Sequence, residues 1–144
     1  MEELETLRTH IVEQRYTAAL ELIDEIEEMS REDKINKIRS FAKILLLHLI
    51  KQHAEQRSTR SWESSIWNAI DEMTTINRRR KAKGYYLNDD ELAEVLAEAW
   101  LPALKLASFE AFEGKYNERE LAAKVDRAAI EQQALEMTRT PRPQ

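Results

Sequence analysis

The densest apolar run in the chain is Phe41 to Ile50, where eight of ten residues are apolar and only Lys43 and His48 interrupt. A helix that is apolar on every side has to be buried on every side. The run therefore predicts a central buried helix over about residues 31–56. Ahead of it, Leu4, Leu7 and Ile11 recur at helical spacing and predict a helix over about 2–14. Ala19, Leu22, Ile23, Ile26 and Met29 predict a second, from Thr17 to Met29. Ser30, with Asp33 three residues on, resembles a capping box and predicts a fresh helix start.

Beyond the central helix, Ser61 is a natural N-cap, because its hydroxyl can accept an orphan backbone N–H. Trp62, Ile66, Ala69, Ile70, Met73 and Ile76 form the apolar stripe of the helix it opens, and Gly84 is expected to close it. Trp62 and Trp67 are both read as core residues. Asn88 and Glu91 form another capping signature. The helix that follows carries Leu92, Val95, Leu96, Ala99, Ala103, Leu106 and Ala107, with a kink at Pro102 and an end at Gly114. Asn117 and Glu120 cap a last helix over about 118–137. Its stripe of Leu121, Val125, Ala128 and Leu135 is narrow, so that helix packs loosely, projects, or meets another subunit. The expected architecture is all-α: a single-domain bundle of five to six helices over residues 1–137, with 138–144 as a disordered tail.

Composition supports long helices, with only two glycines and three prolines in 144 residues. There is no cysteine, which excludes a disulfide frame, a thiol nucleophile and Cys-ligated zinc. The amino terminus is acidic and polar, unlike a secretory signal, and the run Phe41–Ile50 is about half of the ~20 residues a membrane span needs. A cytoplasmic protein without a membrane anchor is expected.

The net charge of −5 conceals a pattern. Residues 1–33 hold 11 acids and 3 bases; residues 34–83 hold 4 acids and 12 bases; residues 84–144 hold 12 acids and 7 bases. Acidic helices docked beside basic ones account for this internally. The rival account is a basic surface for nucleic acid. Arg78, Arg79, Arg80, Lys81 and Lys83, followed by Tyr85 and Tyr86, are its candidate contacts, through phosphate pairing and base stacking. The competing role for this run is a solvated helix end that complements the helix dipole.

Candidate catalytic chemistry is sparse. His48 in the apolar run could serve as a base or ligand, but a core histidine satisfied by one carboxylate or carbonyl is the favoured account. His48 and His53 are five apart, where a two-histidine metal face needs four. Asp24, Glu25, Glu27 and Glu28 form a solvated acidic face, with Glu25 nearest the apolar stripe. No catalytic residue, metal ligand or cofactor is assigned.

Three segments, LIDEIEEMSRED, RSFAKILLLHLIK and RSTRSWESSIWNAIDEM, carry a resemblance. Together with LAEVLAEAWLPALKLASFE they resemble domain-of-unknown-function family 29, a bacterial family common in cyanobacteria, over residues about 22–110. That family has the same order: an acidic Leu-x-Glu-Glu-Ile-Glu helix, a helix ending His-Leu-x-Lys, and an Arg-x-x-Arg-Ser-Trp junction. Asp24 departs from the acidic motif, and residues from 118 onward do not follow the pattern. The resemblance implies an all-α fold and no activity.

Glu25, His48, Arg60, Ser61 and Trp62 are read as structural polar sites that orient helix junctions, with Arg60 as the expected neighbour of His48. The functional expectation is a non-enzymatic helical interaction module binding a protein partner or itself, with Leu121, Val125, Ala128 and Leu135 as the candidate homo-oligomer contacts. Nucleic-acid binding through residues 78–86 is the alternative, and a metal-dependent hydrolase around Glu25 and His48 the third.

Overall fold

A computed structural model describes residues 2–79 and 84–139. Among them the fold is all-α, with six α-helices and no strand. They are α1 (Glu2–Val12), α2 (Tyr16–Glu55), α3 (Arg60–Asn77), α4 (Asp89–Glu110), α5 (Glu118–Ala122) and α6 (Arg127–Thr138), with a 3₁₀ turn at Ala111–Gly114. The chain divides into two compact units, Met1–Lys34 and Ile35–Gln144.

In the first unit, α1 ends in a turn built without glycine. Gln14 takes the left-handed conformation at φ 60°. The Arg15 N–H then bonds the His10 carbonyl at 2.7 Å, and the Gln14 N–H bonds the Ile11 carbonyl at 3.1 Å. These two bonds satisfy the carbonyls orphaned at a helix end. No residue of α1 is buried. Ala19 is the only buried residue described in this unit, and Leu22, Ile23 and Ile26 are half-buried.

The break expected at Ser30 is absent, because α2 is helical from Tyr16 to Glu55. A serine with an acid three residues on can cap a helix, but it does not stop one. Neither glycine nor proline occurs anywhere in α2, so the backbone has no cause to turn. Met29, expected on the buried stripe, is exposed.

The second unit is organised by the apolar run, as its pattern requires. Leu45, Leu46, Leu49 and Ile50 are wholly buried, and Leu47 nearly so. Ile38 and Ala42 extend the buried stretch one and two turns earlier. One continuous core joins these residues to Ile66, Ala69 and Met73 of α3, to Leu92 through Ala107 of α4, and to Leu121, Ile130 and Ala134 further on. α2 ends at Glu55, and Gln56 after it is left-handed at φ 52°.

α3 starts one cap earlier than expected. Thr59, in extended backbone, accepts the Trp62 N–H at 3.1 Å, so Ser61 lies inside the first turn and is exposed. Trp67 is 68% exposed and not a core residue. It follows Ile66 by one position, about 100° around the helix, and so misses the buried face. α3 also ends at Asn77, well before Gly84.

α4 carries the expected capping box. Asn88 accepts the Glu91 N–H at 2.8 Å, and Glu91 accepts the Asn88 N–H at 3.2 Å. The helix passes through Pro102 without ending. Trp100 and Leu104 are buried on it, whereas Leu106 faces out. The helix stops at Glu110, not at Gly114. Phe112, Glu113 and Gly114 then take successive left-handed conformations, at φ 51°, 56° and 77°. Each non-glycine residue there carries a steric cost of about 1–2 kcal/mol.

The Asn117–Glu120 capping box is also present, but the helix it opens is only α5. A second cap, Asp126 accepting the Ala129 N–H at 3.2 Å, starts α6. Neither helix projects. α4 packs against both, and α3 packs against α6. Leu121, Ile130 and Ala134 are wholly buried, Val125 and Leu135 are half-buried, and Ala128 is exposed. The break at 123–126 rotates the register, so Ile130 and Ala134, rather than Ala128, turn inward.

Truncating Leu49 to alanine is expected to lower unfolding stability by about 2–5 kcal/mol, from lost transfer energy and the cavity left behind. Leu20→Ala, on the exposed side of the first unit, should change it by under about 0.5 kcal/mol. Urea denaturation of both variants checks the contrast.

Candidate functional site

The polar residues of the second unit gather where α2, α3 and α4 end or begin. Lys51 is at the centre. It sits one residue past the apolar run and is 5% exposed. Burying an ammonium group is costly unless it is paired. Its Nζ donates to Glu110 Oε1 at 2.8 Å and lies 4.6 Å from the centroid of the Trp62 ring. The Arg57 guanidinium also lies on that ring, 4.7 Å from its centroid. Trp62 thus meets two cations, each drawn to its electron-rich face.

Glu55 links the same junction to the left-handed turn. Its Oε1 accepts from Arg57 Nε at 3.0 Å, and its Oε2 accepts the Phe112 N–H at 3.3 Å. The strained Phe112 backbone is therefore tied to the end of α2. Its ring packs edge-on against Tyr116 at 5.2 Å, and Lys124 lies 4.4 Å from the Tyr116 centroid. Nearby, His53 Nε2 is 2.7 Å from Gln133 Oε1 and joins α2 to α6.

His48 is half-buried, and its Nδ1–H donates to the Ile44 carbonyl at 2.9 Å. Arg60 is exposed in the first turn of α3, and no contact joins it to His48; Lys51 and Arg57 are the basic residues that engage the junction instead. Glu25 is exposed within the first unit. Among the described residues no group of three or more His, Asp or Glu side chains is placed to hold a metal ion.

The basic segment begins where α3 ends. Arg78 pairs with Tyr85 in an isolated antiparallel bridge, and the Arg79 N–H bonds the Gly84 carbonyl at 3.0 Å. Buried Asn77 secures this closure. Its side chain donates to the Leu87 carbonyl at 3.1 Å and accepts the Leu87 N–H at 2.8 Å. Arg78 and Arg79 are exposed, while Tyr85 and Tyr86 are half-buried, with Arg79 lying 5.7 Å from the Tyr86 centroid. Arg80, Lys81 and Lys83 lie outside the described residues.

The Lys51–Glu110 pair escaped sequence reasoning. The motif carrying the resemblance contained Lys51 and Trp62, but their partner Glu110 is 59 residues away. A lysine directly after an all-round apolar run was the available signal.

Among the described residues the fold is that of an all-α protein. Residues 2–126 match the family described as Domain of unknown function DUF29, and the chain belongs to that family. The match takes in the first unit and α5, and it stops at Asp126, the cap of α6. No curated protein and no solved structure matches the chain.

Glu110→Ala should cost about 1–3 kcal/mol, because it leaves a buried ammonium without its acceptor. Lys51→Met should cost less, since it removes the charge and keeps the volume. Thermal unfolding of the two variants gives the order. Asn77→Ala strips both bonds from buried Leu87 and should likewise cost about 1–3 kcal/mol. Hydrogen exchange at the Leu87 amide would show the loss locally.

Proposed function

We propose that this protein is a non-enzymatic helical interaction module that binds a protein partner through its first unit. One observation carries the reading. Leu4, Ile11, Val12, Tyr16, Leu20 and Met29 stay between 49% and 74% exposed, in a unit of 34 residues whose only buried residue among those described is Ala19. So short a unit without a core of its own gains stability by being covered. Its charge states the chemistry of the cover. With 11 acids against 3 bases over residues 1–33, the surface favours a basic, amphipathic helix. A second copy docking by the same face would set acid against acid. Leu121 lies in the chain's own core, whereas the first unit keeps its apolar residues exposed, and that contrast supports docking through the first unit. A cytoplasmic setting belongs to the same proposal.

Nucleic-acid binding is a second reading, supported by the bridge that ties Arg78 to Tyr85 on either side of the basic run. Phosphate contacts would dominate such binding and make it salt-dependent.

A labelled amphipathic peptide of leucine and lysine should bind the full chain, as read by fluorescence anisotropy, and its leucine–glutamate counterpart should not. Replacing Leu20 and Met29 together by glutamate should weaken the basic peptide at least about tenfold, a loss of about 1.4 kcal/mol, with the melting temperature of the second unit unchanged. Equal binding of both peptides, or indifference to the double substitution, would refute the docking role. Retention on nucleic acid that falls steeply with salt and vanishes on replacing Arg78, Arg79 and Arg80 by alanine would favour the second reading instead.

A further inference from the structure

A pocket of about 260 Å³ opens in the second unit between α2 and α4, lined by Arg39, Ser40, Lys43, Glu98, Ala99 and Pro102. Its two walls differ in polarity. The α2 wall offers donors. Lys43, one of the two interruptions of the apolar run, is half-buried, and no described residue pairs with its ammonium group. Arg39, one turn earlier, uses Nε on Glu98 Oε2 at 3.3 Å and one terminal nitrogen on Asn36 Oδ1 at 3.1 Å, leaving its other terminal nitrogen for a ligand. Ser40 donates its hydroxyl to the Asn36 carbonyl at 3.1 Å.

The α4 wall offers acceptors. The Glu98 side chain is 60% exposed and meets Arg39 through Oε2. Pro102 has no N–H, so the Glu98 carbonyl lacks the bond that position would normally give it. Ala99 and the Pro102 ring supply the apolar part of the lining.

We propose that this pocket binds a small zwitterion, a molecule carrying a carboxylate and an ammonium group a few bonds apart, such as a free amino acid. The carboxylate pairs with Lys43 and the remaining Arg39 nitrogen, in charge-assisted hydrogen bonds. The ammonium group pairs with the Glu98 carboxylate. A volume below the ~300 Å³ at which pockets for drug-sized ligands begin favours a ligand of amino-acid size. This site is separate from the docking face on the first unit, and the two proposals stand or fall independently.

The test is a titration of the isotopically labelled full chain with L-alanine, acetate and methylamine, followed by amide chemical shifts. L-alanine should shift the amides of residues 39–43 and 98–103 and bind at least tenfold more tightly than acetate or methylamine. Lys43→Met should weaken it at least tenfold, Lys43→Arg should restore most of the affinity, and Lys115→Met, away from the pocket, should leave it unchanged. If Lys43→Met fails to fold, Glu98→Gln takes its place, and it should weaken L-alanine while sparing acetate. Acetate binding as tightly as L-alanine would overturn the zwitterion assignment. Shifts confined to other residues, or none at all with L-alanine, would overturn the site.

Discussion

A helix with no polar side cannot lie on the surface of anything; it has to be enclosed. The segment Phe41–Ile50 imposes that condition on the second unit, and the surrounding helices meet it along Ala42, Leu45, Leu46, Leu47, Leu49 and Ile50, while Phe41, Lys43, Ile44 and His48 stay half-buried. α3 supplies Ile66, Ala69 and Met73; α4 supplies the largest share, from Leu92 to Ala107; the short C-terminal helices close the core with Leu121, Ile130 and Ala134. The condition also explains the polar junction. An enclosed helix must end, and where it does, Lys51 brings a charge almost fully out of water. Glu110 and the face of Trp62 offset that cost, and Glu55, one turn further on, fixes the strained backbone at Phe112. Lys51 and Trp62, from two of the segments that carry the family resemblance, lie where the central helix finishes.

Much of this was legible in the sequence, for identifiable reasons. All-round apolarity and the Asn88–Glu91 and Asn117–Glu120 boxes are local signals, and each stands where it was expected. The errors share a cause as well. Ser30 and Ser61 were read as caps because their residue types permit it, but permission is weaker than necessity. With no breaker in α2 the helix simply continues, and Thr59 pre-empts Ser61 by lying in extended backbone first. Trp67 follows buried Ile66 by one position, a difference of helical phase that residue type alone does not reveal. The partners of the junction were out of reach for a different reason: Lys51 with Glu110 and His53 with Gln133 are pairings of distant segments, which no local pattern encodes.

The two units illustrate opposite relations between sequence and burial. The second has a continuous core and buries even polar Asn77 and Ser108 with hydrogen bonds. The first has helix-forming sequence, a well-made turn at Gln14 and almost nothing inside. Local structure there rests on capping bonds and on threonine hydroxyls that donate back to carbonyls four residues earlier. Such a segment has a defined shape before it has a defined interior.

The contact between His53 and Gln133 spans 80 residues. Ile130 and Ala134, which complete the enclosure of the central helix, arrive with the same late segment. During synthesis the apolar run emerges long before its last cover does. The nascent chain must therefore carry an incompletely shielded leucine-rich helix until α6 has cleared the ribosome, and over that interval it is a natural client for a chaperone.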